Sequence, residues 1–184
     1  MLERLRDSLR NSNVIDINGY PYFVHPITDG IPLTDPDILD EITDAIMETG
    51  LVKADIIVTP EVMGIPIATA VSLRTRVPYS VIRKRRYGLS GETRIIQHTG
   101  YSTSEMFING VGRGDRVLVI DDVLSTGGTL RSIVTALRDV IGADVLGAVM
   151  VIGKNDSRNI SEELGIPVVT LLRVDIVNGH VTVS

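Results

Sequence analysis

The chain contains no cysteine, which excludes disulfide frameworks, thiolate metal centres and cysteine nucleophiles. Histidine is nearly as scarce. His25, His98 and His180 lie far apart, so a histidine-based zinc site is not expected. No apolar run approaches the roughly 18 residues that a membrane span requires. The opening segment, MLERLRDSLR, alternates charge with leucine and lacks the apolar stretch of a signal peptide. No membrane association and a cytoplasmic location are therefore expected. There is also no internal repeat, no low-complexity linker and no basic recognition helix. With 18 Lys and Arg against 23 Asp and Glu, the net charge is −5 and the isoelectric point about 5.2, which argues against nucleic acid as a partner. Lysine itself occurs only at positions 53, 84 and 154.

What is present is ordinary globular material: 184 residues, 43% hydrophobic and 22% charged, enough for one domain spanning 1–184 with a real core. From about residue 35, short apolar runs alternate with helix-period segments, the pattern of an α/β protein with a parallel sheet. Asp35-Pro36 reads as a helix cap followed by proline in the first turn, with Ile38, Leu39, Ile42, Ala45 and Ile46 on one face and Gly50 beyond the end. Strands are expected over 55–59, 79–83, 116–122, 144–152 and 167–172, and helices over 64–74, 129–141 and 157–164. Asn178-Gly179 marks a two-residue hairpin near the end. Residues 14–34 and 85–111, polar and punctuated by glycine, do not fit the alternation, and loops of such length are often functional.

The most informative stretch is VLVIDDVLSTGGTL, residues 117–130. Asp121 and Asp122 end a buried strand, where parallel sheets place their ligands. Ser125, Thr126, Gly127, Gly128 and Thr129 then open a helix. Glycines let the backbone curl so that several N–H groups point inward, and the helix dipole favours an anion there. The loop is therefore expected to hold a phosphate, with the two carboxylates placed for sugar hydroxyls or for waters on a divalent metal. It is not a Walker loop, because no lysine follows the glycines, and a dinucleotide fingerprint is absent. The basic run Arg83-Lys84-Arg85-Arg86 stands out against the acidic background.

This stretch resembles the phosphoribosyl pyrophosphate motif of type I phosphoribosyltransferases, and the similarity extends toward the adenine-type branch with its archaeal hypoxanthine/guanine relatives. Residues 22–36 are similar to that branch's base-covering hood. Residues 82–91 are similar to its catalytic loop, and 164–172 to its last core strand. The resemblance implies a type I phosphoribosyltransferase fold: a parallel-sheet core with flanking helices, an N-terminal hood over 1–35 and a flexible catalytic loop over 85–105. It implies a homodimer, with Mg2+ held through waters on Asp121 and Asp122 and the 5′-phosphate in the loop Ser125 to Thr129. Pyrophosphate would lie along Thr59 to Gly64, with Glu61 and Gly64 in contact, although Met63 stands where the family often has arginine. Arg83 and Lys84 would carry the remaining charge. Glu105, after Tyr101-Ser102-Thr103-Ser104, is the candidate for handling the proton on the base.

Phe23, Val24 and His25 would cover the base. Lys154 falls near the position where 6-oxopurine enzymes of the wider superfamily place a lysine that reads O6. Those enzymes usually carry Asp where this chain has Ser125, and a small residue there is the adenine-type pattern. An ammonium facing position 6 suits the acceptor of hypoxanthine and guanine and opposes the amino group of adenine. The expected activity is thus transfer of a phosphoribosyl group to hypoxanthine, with guanine accepted. An adenine-specific enzyme and a non-catalytic regulator that binds phosphoribosyl pyrophosphate remain alternatives.

Overall fold

Strands that read as uninterrupted apolar runs must be covered on both faces. In the computed structural model, which describes residues 2–98, 103–154 and 156–184, helices cover both. In chain order the elements are α1 (Glu3–Arg10), β1 (Asn13–Ile17), β2 (Tyr20–Val24), α2 (Pro26–Asp29), α3 (Pro36–Glu48), β3 (Ile56–Pro60), α4 (Gly64–Thr75) and β4 (Tyr79–Ile82). They continue as β5 (Thr93–His98), β6 (Thr103–Ile108), β7 (Arg116–Leu124), α5 (Gly128–Thr135), β8 (Asp144–Gly153), α6 (Arg158–Leu164), β9 (Val168–Val177) and β10 (His180–Val183). Among the described residues no helix is long and apolar enough to cross a membrane.

Six strands form one sheet in the order β10-β9-β8-β7-β3-β4, parallel throughout except where β10 turns back on β9. Asn178 and Gly179 make that turn with φ of 52° and 78°, both in the left-handed region that a two-residue hairpin requires. Side chains alternate across β7: Leu118 and Ile120 join one buried cluster, Val117 and Val119 the other. The first cluster takes the apolar faces of α1, α3 and α4. The second takes α5, α6 and residues of the β5–β6 ribbon. Helix α3 starts where expected because the Asp35 carboxylate accepts from the Asp37 N–H at 2.9 Å and Pro36 needs no donor partner. The helix after the phosphate loop changes pitch: α5 ends at Thr135 and a π turn, Ala136–Ile141, finishes it.

Two segments differ from a plain loop reading. Residues 14–34 hold the hairpin β1–β2, turned at Asn18 and Gly19 with φ of 54° and 84°, followed by the short helix α2. Within 85–105, β5 and the start of β6 pair antiparallel, and the Glu92 carboxylate accepts from the Tyr87 and Gly88 N–H groups at 3.0 and 2.8 Å and from Asn109 Nδ2 at 3.2 Å. Leu2, Leu5 and Leu9 are buried in the first core cluster, beside Phe23 and Ile27 of the hood.

His25 fastens these N-terminal pieces together. It is 1% exposed; its Nδ1 accepts from the Ile27 N–H at 3.1 Å, which leaves the proton on Nε2 for the Ser8 hydroxyl at 2.9 Å. Burial lowers its pKa to about 4, against a smaller upward pull from Asp29. A second proton would also set a donor on Nδ1 against the Ile27 N–H. Because the unfolded chain binds that proton near the usual histidine value of about 6.5, stability is expected to fall as pH drops from about 6.5 toward 4, by about 3 kcal/mol at most. Urea midpoints measured at intervals across this window, for wild type and His25→Gln, check the expectation. A slope that the variant does not flatten would contradict it.

Candidate active site

Parallel strands end on one edge of the sheet, and the chain turns into helices there. Asp121 and Asp122 lie toward that end of β7, with Asp121 in register with Met150 of β8. The Asp122 N–H donates to Asp121 Oδ1 at 2.9 Å. Burial raises the pKa of both carboxyls. Repulsion from Asp122 pushes Asp121 further, and the charge of Asp29 adds to the rise at Asp122. Two adjacent carboxyl groups kept half out of water favour a ligand that offsets their charge, a cation or a set of hydroxyl donors, with any bound proton released to water.

Beyond β7 the chain curls through Ser125 and Thr126 to Gly127, at φ 78°, and enters α5. A side chain at Gly127 would strike Ile160 Cδ1 at 2.4 Å, so α6 presses on the loop from behind. Arg131 holds the curl: its Nη1 donates to the Thr126 carbonyl at 2.6 Å, while Glu163 of α6 accepts from Nε and Nη2 at 2.7 Å each. A recess of about 90 Å³ results, lined by Asp121 and by Ser125 to Thr129 at the mouth of α5. The predicted phosphate loop and carboxylate pair are thus adjacent. Arg131 was not singled out from the sequence; its spacing within the helix carries no signal until Glu163 is placed opposite.

The turn after β3 closes over the same strand end. An ideal Cβ at Gly64 would stand 2.1 Å from Thr59 Oγ1 and 2.9 Å from Asp121 Oδ1, so only glycine lets α4 begin against the carboxylate. Glu61 accepts from the Lys84 N–H at 3.0 Å and pairs with Arg83 at 3.5 Å. The predicted pyrophosphate contacts Glu61, Gly64, Arg83 and Lys84 are therefore brought together, but Glu61 is engaged with the basic segment. Met63 packs its thioether toward Gly30 at the end of α2, where an ideal Cβ would lie 3.6 Å away.

Lys154 emerges at the end of β8, its N–H donating to the Leu124 carbonyl at 2.8 Å. Its Nζ lies 5.3 Å from the ring centroids of both Tyr22 and Phe23, which stack at 6.1 Å. Phe23 and Lys154 thus meet, and Val24 is half-buried beside them on β2. His25 follows Val24 at the end of the hood strand, with both ring nitrogens engaged inside the hood, by Ile27 and Ser8. Glu105 differs. It is exposed on β6 and bonded to Arg94 across the ribbon at 2.7 Å, and no described contact joins it to the aspartates. Tyr101 and Ser102 lie outside the described residues.

Among the described residues no three metal-ligating side chains gather into a cage. Asp121 and Asp122 are nonetheless hard oxygen donors of the kind Mg2+ takes one or two at a time, completing its shell with water and substrate phosphates.

A carboxylate pair beside a glycine-turned helix mouth, at the ends of parallel strands, is an arrangement suited to a phosphorylated ligand. The phosphoribosyl transferase domain family matches residues 33–183. A hypoxanthine/guanine phosphoribosyltransferase of Methanothermobacter thermautotrophicus is 50% identical over 185 residues, spanning 100% of this chain and 95% of its own. HGPRTase-like protein 1 of Natrialba magadii is 52% identical over 183 residues, spanning 99% and 96%. Among solved structures, the adenine phosphoribosyltransferase of Thermoanaerobacter pseudethanolicus shares the fold with a TM-score of 0.75 at 21% identity, over 94% of this chain and 99% of that one. The chain belongs to the phosphoribosyltransferase family.

The close approach at Gly64 yields a direct expectation. Gly64→Ala forces Thr59 and Asp121 apart, with a stability loss of about 1–3 kcal/mol. Displacement of Asp121 is expected to weaken binding of phosphoribosyl pyrophosphate as well. Urea denaturation and titration calorimetry check the two effects; an alanine accepted without loss of either would show that the contact is slack.

Proposed function

We propose that this protein transfers the phosphoribosyl group of phosphoribosyl pyrophosphate to hypoxanthine or guanine, forming IMP or GMP and pyrophosphate, in purine salvage. The observation that carries the reading is the convergence of the Asp121–Asp122 pair, the phosphate loop and the Lys154 ammonium on one sheet edge. The names of relatives about half identical over their whole length support the choice of base. In the reaction the bond from C1 of the ribose to pyrophosphate breaks, a bond from C1 to a purine ring nitrogen forms, and the proton of that nitrogen passes to water or to the departing pyrophosphate.

The loop Ser125 to Thr129 holds the 5′-phosphate, fixing C1 relative to the base. Asp121 and Asp122 orient the ribose hydroxyls and place negative charge near a ring that becomes oxocarbenium-like. They would also hold Mg2+ through water, and that ion supplies charge neutralisation to the departing pyrophosphate. Arg83 and Lys84 release Glu61 in favour of the pyrophosphate. Lys154 donates to the oxygen at purine position 6, and the hood carrying Tyr22 and Phe23 covers the base and excludes water. A homodimer is part of the same reading: β4 is a sheet edge, and Tyr79, Tyr87 and Leu89 beside it are exposed apolar residues.

The deciding assay is nucleotide formation from phosphoribosyl pyrophosphate and Mg2+ with hypoxanthine, guanine, adenine, xanthine and orotate in parallel. Preference for adenine would overturn the base assignment. Binding of phosphoribosyl pyrophosphate without turnover of any base would favour a regulator.

Asp122→Asn is expected to lower kcat/KM by about 10²–10³-fold, the usual cost of losing one preorganised charge. The same variant relieves buried like-charge repulsion, so the free protein keeps or gains stability, with a rise in Tm of up to about 2–4 °C. Near-normal turnover would contradict the site. Lys154→Ala should cost hypoxanthine and guanine selectively, and an equal loss with adenine would remove its reading role.

A further inference from the structure

Within the basic segment Arg83 pairs with Glu61 and Arg86 with Glu92, while Arg85 lies over the single ring of Tyr87, 5.5 Å from its centroid. Lys154 meets two rings. Among the described residues no carboxylate lies within ion-pair distance of its ammonium, which instead sits equidistant from two aromatic faces. On the hood, the carboxylate of Asp29 is engaged by other donors. One oxygen accepts from the Tyr22 hydroxyl at 2.6 Å, and the other accepts from the Thr28 hydroxyl at 2.6 Å and the His25 N–H at 3.0 Å.

We propose that Tyr22 is a positioning residue for base recognition: its ring, oriented by Asp29 and assisted by Phe23, holds the Lys154 ammonium ready to donate. The proposal rests on the reading of Lys154 as the group that meets the purine oxygen. A lysine carries a long flexible stem and a point charge with rotatable donors, so its head must be placed by something outside itself. A carboxylate would place it but would also accept its N–H groups and compete with the purine oxygen. Aromatic faces attract the cation without taking those donors. Asp29 then acts at one remove, through the phenol, and fixes the ring plane without neutralising the ammonium. Because Tyr22 lies on the hood strand β2 and Lys154 at the end of core strand β8, the same contact ties the orientation of the reading group to the seating of the hood.

The scarcity of lysine makes the test simple, because 13C-labelled lysine gives only three sets of side-chain signals, from positions 53, 84 and 154. In the whole protein the ε-methylene protons of Lys154 are expected upfield of the other two, under the ring currents of Tyr22 and Phe23. Tyr22→Leu removes one of two equidistant rings and should cut that shift by about half, while raising KM for hypoxanthine three- to tenfold relative to adenine, as loss of one cation–π contact predicts. Tyr22→Phe, which keeps the ring, should restore most of both. Tyr22→Leu with the shift and the selectivity of the wild type would refute the proposal. So would an equal loss with both bases, which would signify only a damaged hood. Lys154→Ala in the same series separates the two layers. If it abolishes selectivity while Tyr22→Leu does not, the positioning role alone falls. If it leaves selectivity unchanged, the reading of Lys154 falls and the role of Tyr22 falls with it.

Discussion

Two neighbouring carboxyl groups are held half out of water at the end of the central strand, and the surroundings of the site are organised around that unfavourable placement. Burial pushes the proton affinity of both upward, with the charge of Asp122 adding to the rise at Asp121 and the charge of Asp29 to the rise at Asp122. An isolated protein would gain by replacing them. In the proposed function the ligand offsets this cost, because sugar hydroxyls and a hydrated cation would return the solvation that folding removes. Around the pair, each neighbouring element approaches as closely as its chemistry permits. Helix α4 begins on a glycine because Thr59 and Asp121 leave no space for a methyl group. The phosphate loop turns at Gly127 because Ile160 occupies the space behind it.

The site is consequently assembled from cations and anions that already have provisional partners. Glu61 holds the basic segment, Glu163 and a loop carbonyl hold Arg131, and two rings hold Lys154. Arg131 is a permanent strut, since both ends of its guanidinium are bonded within the protein. Glu61 holds Arg83 through a single ion pair at 3.5 Å, and in the proposed function an incoming polyanion would compete for it.

How much of this was legible in the sequence depended on whether the signal was local. Strand β7, its two aspartates and the glycine loop are contiguous, so their chemistry could be read in order. The cap at Asp35-Pro36 and the hairpin at Asn178-Gly179 were equally local. Asn18-Gly19 is the same dipeptide, yet it went unread because its strands are mostly exposed, carry Pro21 and show no apolar alternation. The ribbon β5–β6 was hidden for a similar reason, with polar residues and flanking glycines outweighing its buried Ile95, Met106 and Ile108. His25 entered as a base contact only through the resemblance of residues 22–36 to a base-covering hood. Its actual bonds run to Ser8 and Ile27, and the Ser8 contact exists only after α1 has packed on the hood. Tyr22, Asp29 and Arg131 carry no motif at all. Their roles depend on partners brought close by the tertiary fold.

Helix α1 packs against α3 and against β10, the last strand of the sheet. Helix α1 and strand β10 are thus packed together across almost the whole sequence, a contact of high sequence separation that ties the seating of the N-terminal segment to the β9–β10 hairpin.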